Sequence, residues 1–494
     1  MYRETCKSYF EIWWNGIKSL PETTSIHGFR FIGDNNRHWT ERIFWLIFVA
    51  LCWFGSSLLI AAQYDAYQNY PISFVVETTY KDWNTYFPSI AICENDNMRR
   101  IEAVSDRLFG QDHDFNIEEV IKELSYYKGF TYFVSEFCSE ENPLLDCDKW
   151  NLTYYANVVR SPCEEMLKNC SWNNVQFPCC KIFNLINTEF GVCYIANSIQ
   201  VRQKRPKFHM VSNKTTGPGV LNLHVIVPAK LYVTNEEEVP SLTIIGLDAI
   251  QIEPETSYRR IISIRNIEND AGARVIEPAK RKCRYVDENF LDVYPYYSYT
   301  ACTVQCRKNA QLKTCNCTSF YMLNVKEEMK CDINGLICLN DHATDLSALK
   351  AKWSSRPGLD CDCLPSCTEA EISIVKDFKT TTTESYASVQ IELAALPSER
   401  YRRNVVRGFL DLVVSTGGTG GLFLGVSILS FVELLYILLI RPFCDIYSRL
   451  DDDPWYKRFG AQHFNNNNFK PKLVNRKKSS RITKKREMLF HRRF

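Results

Sequence analysis

The stretch GGTGGLFLGVS, residues 417–427, places five glycines in eleven residues inside an otherwise apolar run. Glycine destabilises a helix interior by roughly 1 kcal/mol relative to alanine. A membrane helix with this composition either contacts other helices very closely or is broken here. The stretch alone leaves a plain packing face and a functional break equally open.

Two segments are long and apolar enough to cross a bilayer. Residues 43–62 contain twenty residues without a charge, and residues 409–440 include an apolar run interrupted by Glu433. A hydrocarbon core of about 30 Å needs roughly 20 apolar residues as a helix. A signal peptide is the alternative for 43–62, but a polar stretch of forty-two residues precedes it and its apolar part is too long. We therefore expect two transmembrane helices.

Charge predicts the orientation of these spans. Residues 441–494 carry fifteen Lys/Arg against five Asp/Glu, whereas residues 63–408 carry 38 Lys/Arg against 45 Asp/Glu. Positive flanks remain on the cytoplasmic side of a membrane. We expect residues 1–42 and 441–494 to be cytoplasmic and residues 63–408 to be extracellular, in the plasma membrane.

Cysteine usage agrees with an extracellular middle segment. Eighteen of the 21 cysteines lie between the spans, an even number that an oxidising compartment would pair. Spacings such as C-x-C also suit zinc, but disulfides are the better interpretation outside the cell. Four glycosylation sequons fall in the same segment, at Asn151, Asn169, Asn213 and Asn316.

The middle segment mixes strand and helix patterns. Residues 72–80, 221–227 and 389–393 are β-branched or alternate as half-buried strands do. Residues 116–127 repeat apolar side chains at helical spacing, and Asn116 with Glu119 resembles a capping box. These patterns predict a large, disulfide-rich α+β domain between the spans.

Six motifs in order resemble the degenerin/epithelial sodium channel family, which includes the acid-sensing and pickpocket channels. Together they run nearly end to end: Ser25-Ile26-His27-Gly28, FPSIAIC (87–93), GVCYIAN (191–197), YSYTACTVQC (297–306) with Cys315-Asn316-Cys317 and FYML, CDCLPSC (361–367), and GGTGGLFLGVS. A single such motif would be weak, whereas six in the right order between two spans are specific.

The resemblance implies a fold and a set of disulfides. It implies a homo- or heterotrimer of related subunits, each with palm, finger, thumb, knuckle and β-ball regions in residues 63–408. The bridges carried over by position are Cys93–Cys193, Cys283–Cys367, Cys302–Cys363, Cys306–Cys361, Cys315–Cys338 and Cys317–Cys331. The six cysteines between 138 and 180 fall in a variable region and are left without assigned partners.

The resemblance also implies a selectivity filter at Gly425, Val426 and Ser427. A helix that unwinds there would present carbonyl oxygens to the pore axis, and three subunits would form a ring that replaces part of an ion's hydration shell. Gly417 and Gly418 suit close contact between copies. The alternative is an ordinary helix with a small-residue face.

Three further residues are candidates for the pore and its gate. Glu433 lies within the second span, where a carboxylate is a functional hypothesis by default, although a hydrated structural role at the inner boundary is the alternative. Asp411 would concentrate cations at the outer mouth or simply be a charge at a helix start. Val414 occupies the position at which bulk opposes closure in the family, so we expect easier opening unless packing absorbs it.

The cytoplasmic segments supply two more candidates. The resemblance places His27 and Gly28 in a re-entrant loop beneath the filter, although a lone histidine is more often structural. The basic run 477–486 suits anionic membrane lipids or a solvated tail.

The sequence as a whole predicts a sodium-selective, amiloride-sensitive cation channel subunit that an unknown extracellular stimulus opens. No catalytic constellation and no phosphate-binding loop is visible, so we expect neither an enzyme nor a resident cofactor or structural metal, nor a nucleic-acid partner; sodium is the permeant ion. The alternatives are a non-conducting auxiliary subunit or receptor of the same fold, and an ATP-gated P2X-type channel.

Overall fold

A computed structural model describes residues 24, 26–34, 36–78, 83–138, 147, 150–201, 210–244, 249–351, 353–441 and 444. The basic run 477–486 and Ser25 lie outside these residues. The chain divides into two compact units, residues 1–63 with 413–494 and residues 64–412, and each is described by itself.

The helices, in chain order, are α1 Phe29–Gly33, α2 Trp39–Asn69, α3 Met98–Phe109, α4 Phe115–Ser125, α5 Tyr132–Phe137, α6 Leu152–Val158, α7 Cys163–Met166, α8 Cys179–Ile182, α9 Pro278–Arg281, α10 Tyr299–Cys315, α11 Ile333–Asp341, α12 Ala343–Ser347, α13 Phe409–Leu424 and α14 Ile428–Leu435. A π-helical turn, Tyr436–Ile440, continues α14, and 3₁₀ turns lie at Leu242–Ile244, Ala271–Val275 and Glu327–Met329.

The strands are β1 Ile72–Glu77, β2 Thr85–Tyr86, β3 Ser89–Glu94, β4 Leu167–Trp172, β5 Val175–Gln176, β6 Asn184–Thr188, β7 Gly191–Ala196, β8 Val211–Ser212, β9 Val220–Val225, β10 Ala229–Thr234, β11 Ile250–Ile252, β12 Thr256–Arg265, β13 Ile267–Asn269, β14 Glu371–Thr381, β15 Ala387–Leu393 and β16 Arg400–Val405. They form sheets of six, five, three and two strands.

Helix α2 is the one described helix that alone is long and apolar enough to span a membrane. It extends beyond the predicted span 43–62 at both ends and buries only Ser56. Helix α13 and the helix that follows it meet the same criterion only as a pair, and they are bent by 73° at the break between them. The second predicted span is therefore not one continuous helix.

The six-stranded sheet holds the largest core of the second unit. Its strand order is β14-β12-β15-β9-β4-β5, with β12 and β15 parallel and the other pairs antiparallel. The alternation predicted for 221–227 and 389–393 is confirmed in β9 and β15, because every second side chain is buried. Val227 lies beyond the end of β9.

The five-stranded sheet, β11-β10-β3-β7-β6, contains the FPSIAIC motif as its central strand β3. All six residues of β3 are buried. Cys93 and Cys193 are directly opposite each other on β3 and β7 and are disulfide-bonded. The bridge therefore fastens two strands that already share a hydrogen-bonded ladder.

The three-stranded sheet contains the strands that adjoin α2 and α13 in the sequence. Strands β1 and β16 pair antiparallel from Ile72–Val405 to Glu77–Arg400. The Glu77 carboxylate accepts hydrogen bonds from Arg400 Nε at 2.7 Å and Arg402 Nη1 at 3.0 Å. Both arginines are on β16, so a single carboxylate of β1 binds two positions of its partner strand.

Helix α4 confirms the helical pattern of 116–127 but corrects its start. Asp114 is the N-cap, and its side chain accepts a hydrogen bond from the Asn116 backbone N–H. The predicted capping box of Asn116 and Glu119 is therefore wrong. The Asp114 carboxylate caps the helix instead by accepting from the Asn116 N–H, since aspartate and asparagine are similarly good N-cap residues.

Nine disulfides join described residues. All six pairs implied by the family resemblance are disulfide-bonded. The six cysteines without assigned partners form Cys138–Cys147, Cys163–Cys180 and Cys170–Cys179. Cys52 and Cys444 are free thiols.

Helix α10 is anchored by a buried ion pair. Arg307 Nη1 donates to both carboxylate oxygens of Glu189, at 2.5 and 2.7 Å, and both side chains are 1% exposed. Arg307 Nε also donates to the carbonyl of Leu346, and the Leu242 N–H donates to Glu189. These contacts fasten α10 to three distant segments of the chain.

Candidate functional site

The glycine-rich stretch is broken at Gly425. Helix α13 ends at Leu424, and Gly425 adopts a left-handed conformation with a φ of +65°. The Gly425 N–H donates to the Gly421 carbonyl at 3.0 Å, and the Val426 N–H donates to Gly420 at 3.3 Å. A left-handed residue after the last turn is a common helix end, and glycine adopts it without steric cost.

Ser427 begins the next helix by a reciprocal cap. Its hydroxyl accepts a hydrogen bond from the Ser430 N–H, and the Ser430 hydroxyl accepts one from the Ser427 N–H, each at 3.2 Å. Ser430 is not among the candidate residues predicted from the sequence. The spacing of two serines three residues apart, directly before an apolar run, was a usable signal for a helix start.

The break leaves backbone oxygens available for other partners. Among the described residues, no hydrogen-bond donor contacts the carbonyl oxygens of Gly425 or Val426. Both residues are partly exposed, and Ser427 is exposed. The tripeptide therefore offers two carbonyl oxygens and one hydroxyl within three residues, and oxygen dipoles of this kind coordinate alkali cations in filters.

The histidine–glycine motif lies directly against this break. The His27 backbone N–H donates to the Leu424 carbonyl at 3.0 Å. The His27 ring occupies the space that a Cβ at Gly425 would need. One of the free carbonyls at the end of α13 is thus satisfied by the motif, and the two segments that the sequence singled out separately are in contact.

Gly28 fixes the motif on helix α2. Its φ is +83°, and a Cβ there would come within 2.5 Å of Val49 Cγ2. Phe31 stacks on Trp45 with ring centroids 4.5 Å apart. A larger residue at position 28 would have a strained backbone, and its β-carbon would collide with the Val49 side chain. Glycine therefore allows the His27–Gly28 segment to pack against α2.

Helices α2 and α13 are joined by a side-chain hydrogen bond among the described residues of this unit. Gln63 Nε2 donates to Thr419 Oγ1 at 2.9 Å, and the Thr419 hydroxyl donates to the Ser415 carbonyl. Neither residue was singled out from the sequence, because an isolated glutamine or threonine in an apolar run gives no pattern.

The glycines before the break lie open in the single chain. No described atom comes within 4 Å of a Cβ built at Gly417, Gly418 or Gly420. Val414 is 64% exposed and Glu433 is partly exposed. The three glycine positions and Val414 are therefore open within the described part of this chain.

Asp411 has a local role at the start of α13. Its carboxylate accepts a hydrogen bond from the Gly408 N–H at 2.8 Å. A carboxylate in the first helical turn stabilises the free amides there. This contact matches the alternative of a helix-start charge, and Asp411 is also exposed.

Comparison with known proteins gives the family. The model of the amiloride-sensitive sodium channel family matches residues 20–437. The chain belongs to this family. It is 22% identical over 456 residues to sodium channel protein Nach of Drosophila melanogaster, covering 84% of this chain and 85% of that one.

Other members of the sodium channel family are similarly related. Pickpocket protein 28 of Drosophila melanogaster is 24% identical over 510 residues, covering 86% of this chain and 78% of that protein. Pickpocket protein 19 of the same species is 22% identical over 456 residues, covering 84% and 88%. The match includes both the His27–Gly28 segment and the break at Gly425, so a cation channel subunit is the function class that the family supports.

Proposed function

We propose that this chain is a subunit of a sodium-selective, amiloride-sensitive channel of the plasma membrane, opened through its extracellular domain. The break at Gly425–Ser427 carries the proposal. Non-helical backbone is tolerated at membrane depth only where it is buried in protein or lines water. The two carbonyls without described donors are the groups that would meet a partly dehydrated cation.

The proposed assembly is a homo- or heterotrimer of related subunits, as the family resemblance implies. Two helices cannot enclose a pore, so each subunit must contribute a lining helix. The open glycine positions 417, 418 and 420 support close approach of copies of α13, because small residues allow backbones to meet. In that assembly Gly425, Val426 and Ser427 repeat as rings, and Glu433 repeats below them as an inner cation site.

Gating is assigned to the strands that adjoin both spans. Strands β1 and β16 are neighbours in one sheet and follow or precede α2 and α13 directly in the chain. A change in the disulfide-linked extracellular domain would reach both helices through this pair. Both termini are cytoplasmic in the proposed topology, as the basic segment after residue 441 favours.

Recording currents from cells that express this chain alone tests the proposal. We expect an inward current that falls when sodium is replaced by potassium and that amiloride blocks. A current activated by ATP would instead indicate a P2X-type channel. No current alone, with surface expression intact, and a changed current when a pickpocket subunit is co-expressed would indicate an auxiliary subunit.

A further inference from the structure

The second unit contains a cavity of about 270 Å³ remote in sequence from the proposed filter. Its walls come from five segments: the end of β3, the residues after α4, a residue before α7, the residue before β7, and strand β10. The lining includes Tyr126, Tyr127, Phe130, Phe190 and Tyr232 together with Glu94, Lys128, Arg160 and Lys230. Apolar walls with a few converging charges are typical of small-molecule sites.

The aromatic side chains are held rigidly by their neighbours. Tyr232 stacks on Phe190 with ring centroids 6.2 Å apart, and Tyr127 meets Phe320 edge to face at 5.7 Å. Tyr127 and Tyr232 are each 3% exposed, whereas Phe130 is 53% exposed. The cavity therefore has a preformed aromatic wall and an aromatic side chain that is accessible from solvent.

The one carboxylate of the lining is already saturated. Glu94 accepts hydrogen bonds from Asn97 Nδ2, the Ser161 hydroxyl and the Ser161 N–H, each at 2.7 Å. It is 5% exposed and directed into this network. Glu94 is thus a structural group and has little capacity left for a cationic ligand.

Two of the three cations are also engaged. Lys128 Nζ lies 3.2 Å from Asp96 Oδ2. Arg160 donates to the carbonyls of Glu94, Ser125 and Phe190, and its guanidinium lies over the Tyr126 ring at 4.8 Å.

Lys230 differs from both. It lies on β10, opposite Cys93 of β3 and Gln251 of β11, and two residues before Tyr232 on the same face of the strand. No hydrogen bond or ion pair to its ammonium group is found among the described residues. Burial, followed by repulsion from Lys128, lowers the pKa of Lys230 against the weaker attraction of the Asp96 carboxylate. A partly buried ammonium without a partner is costly, and an anion beside it would offset that cost.

We propose that this cavity binds a small aromatic carboxylate, whose ring contacts Tyr127 and Tyr232 and whose carboxylate pairs with the ammonium of Lys230. The volume accommodates a single ring with a short acidic side chain. Excess positive charge in the lining excludes amines, and the aromatic wall disfavours small inorganic anions.

Calorimetric titration of the purified full-length protein tests the site. Hydrocinnamate is the probe, and its neutral amide, hydrocinnamamide, has the same ring and chain without the charge. We expect hydrocinnamate to bind with a Kd of roughly 10–100 µM and the amide to bind about tenfold more weakly or not at all.

Two variants separate the contributions of charge and ring. Lys230→Met should weaken hydrocinnamate about tenfold or more and leave the amide unchanged. Phe130→Ala should weaken both compounds alike. Lys379→Met is the matched control, because that lysine is exposed, pairs with Glu253 and does not line the cavity.

The possible results decide the proposal. Selective loss of hydrocinnamate in Lys230→Met, with Lys379→Met unchanged, supports it. Equal affinity for acid and amide, equal loss in both lysine variants, or no hydrocinnamate binding to the native protein overturns it. Lys230→Gln provides the same comparison if Lys230→Met is poorly folded, and channel currents are not needed for any of these measurements.

Discussion

The imidazole of His27 lies where a β-carbon of Gly425 would be. His27 precedes helix α2 and Gly425 follows helix α13, yet the backbone N–H of His27 also donates to the carbonyl of Leu424 at 3.0 Å. The histidine–glycine motif and the break after α13 are therefore fitted to each other, and a side chain at Gly425 would disturb both.

Replacement of Gly425 by alanine should abolish most of the current. A residue with a β-carbon pays about 1–2 kcal/mol in the left-handed region, and here it also overlaps the His27 ring. Whole-cell current divided by the amount of surface protein measures the effect. The double variant His27→Ala/Gly425→Ala removes the overlap and should recover part of the current lost in Gly425→Ala.

Gly217→Ala is the control for backbone strain alone. Gly217 has a φ of +75°, close to that of Gly425, but no described atom lies within 4 Å of its Cβ position. We expect it to reduce stability slightly and to leave current per surface channel unchanged. Equal currents in Gly425→Ala and the native protein would contradict the conclusion that the His27–Gly28 motif and the helix break at Gly425 depend on each other.

Ser427→Leu should abolish the current or its preference for sodium. The substitution removes the hydroxyl that accepts from the Ser430 N–H, a cap worth about 1 kcal/mol, and adds bulk to the proposed ring. Reversal potentials in sodium and potassium report the selectivity. Ser57→Leu is the control, since Ser57 is an exposed serine of α2 whose hydroxyl donates to the Trp53 carbonyl. A Ser427→Leu channel with full, sodium-preferring conductance would contradict the filter assignment.

Arg307→Met should destabilise the unit of residues 64–412 by about 3–5 kcal/mol, because it leaves the Glu189 carboxylate buried without its cation. Thermal unfolding of the purified full-length protein and its surface yield measure this loss. Arg274→Met is the matched control. Arg274 pairs with Asp287 at 2.6 Å, but both side chains are more than half exposed, so a loss below about 1 kcal/mol is expected. Similar losses of unfolding free energy in Arg307→Met and Arg274→Met would show that burial does not determine how much each ion pair contributes to stability.

His113 should make stability depend on pH near neutrality. Its Nδ1 lies 2.7 Å from the Gly110 carbonyl and its Nε2 lies 2.9 Å from Glu118, with Asp106 at 3.5 Å. The Gly110 carbonyl, followed by Glu118 and Asp106, raises the pKa of His113 against the effect of burial. The stabilisation is complete below the unfolded pKa of about 6.5 and is lost as pH rises through the folded value.

Unfolding temperatures of the purified protein across this pH range check the assignment of His113. The native protein should lose stability as pH rises, whereas His113→Gln should show a flatter profile. His342→Gln is the control, since the His342 ring has its hydrogen bond to a described residue at the Cys338 carbonyl and makes no ion pair with a described carboxylate. Identical slopes in native and His113→Gln proteins would contradict the role of His113.

Local patterns predicted single elements well. The alternation of β9 and β15 and the apolar spacing of α4 depend only on neighbouring residues, so the sequence is sufficient to recognise them. The cap of α4 was assigned two residues too late because Asp114 and Asn116 are both good caps.

Contacts between distant residues were not visible in the sequence. The partners of the six cysteines between 138 and 180 depend on how short helices and β4 are placed, and spacing alone allows many pairings. The cavity beside Lys230 is assembled from segments far apart in the chain, so no motif marks it. The contact of His27 with Gly425 could be anticipated only through the family resemblance.

The pairing of β1 with β16 restricts how the protein can respond to a stimulus. Strand β1 follows α2 in the chain and strand β16 precedes α13. The Glu77 carboxylate of β1 accepts hydrogen bonds from Arg400 and Arg402 of β16. A displacement of either strand moves the other strand as well unless the hydrogen bonds between β1 and β16 break. In the proposed channel, a movement of the extracellular domain would therefore reach α2 and α13 at the same time, because both strands of the pair would move as one body.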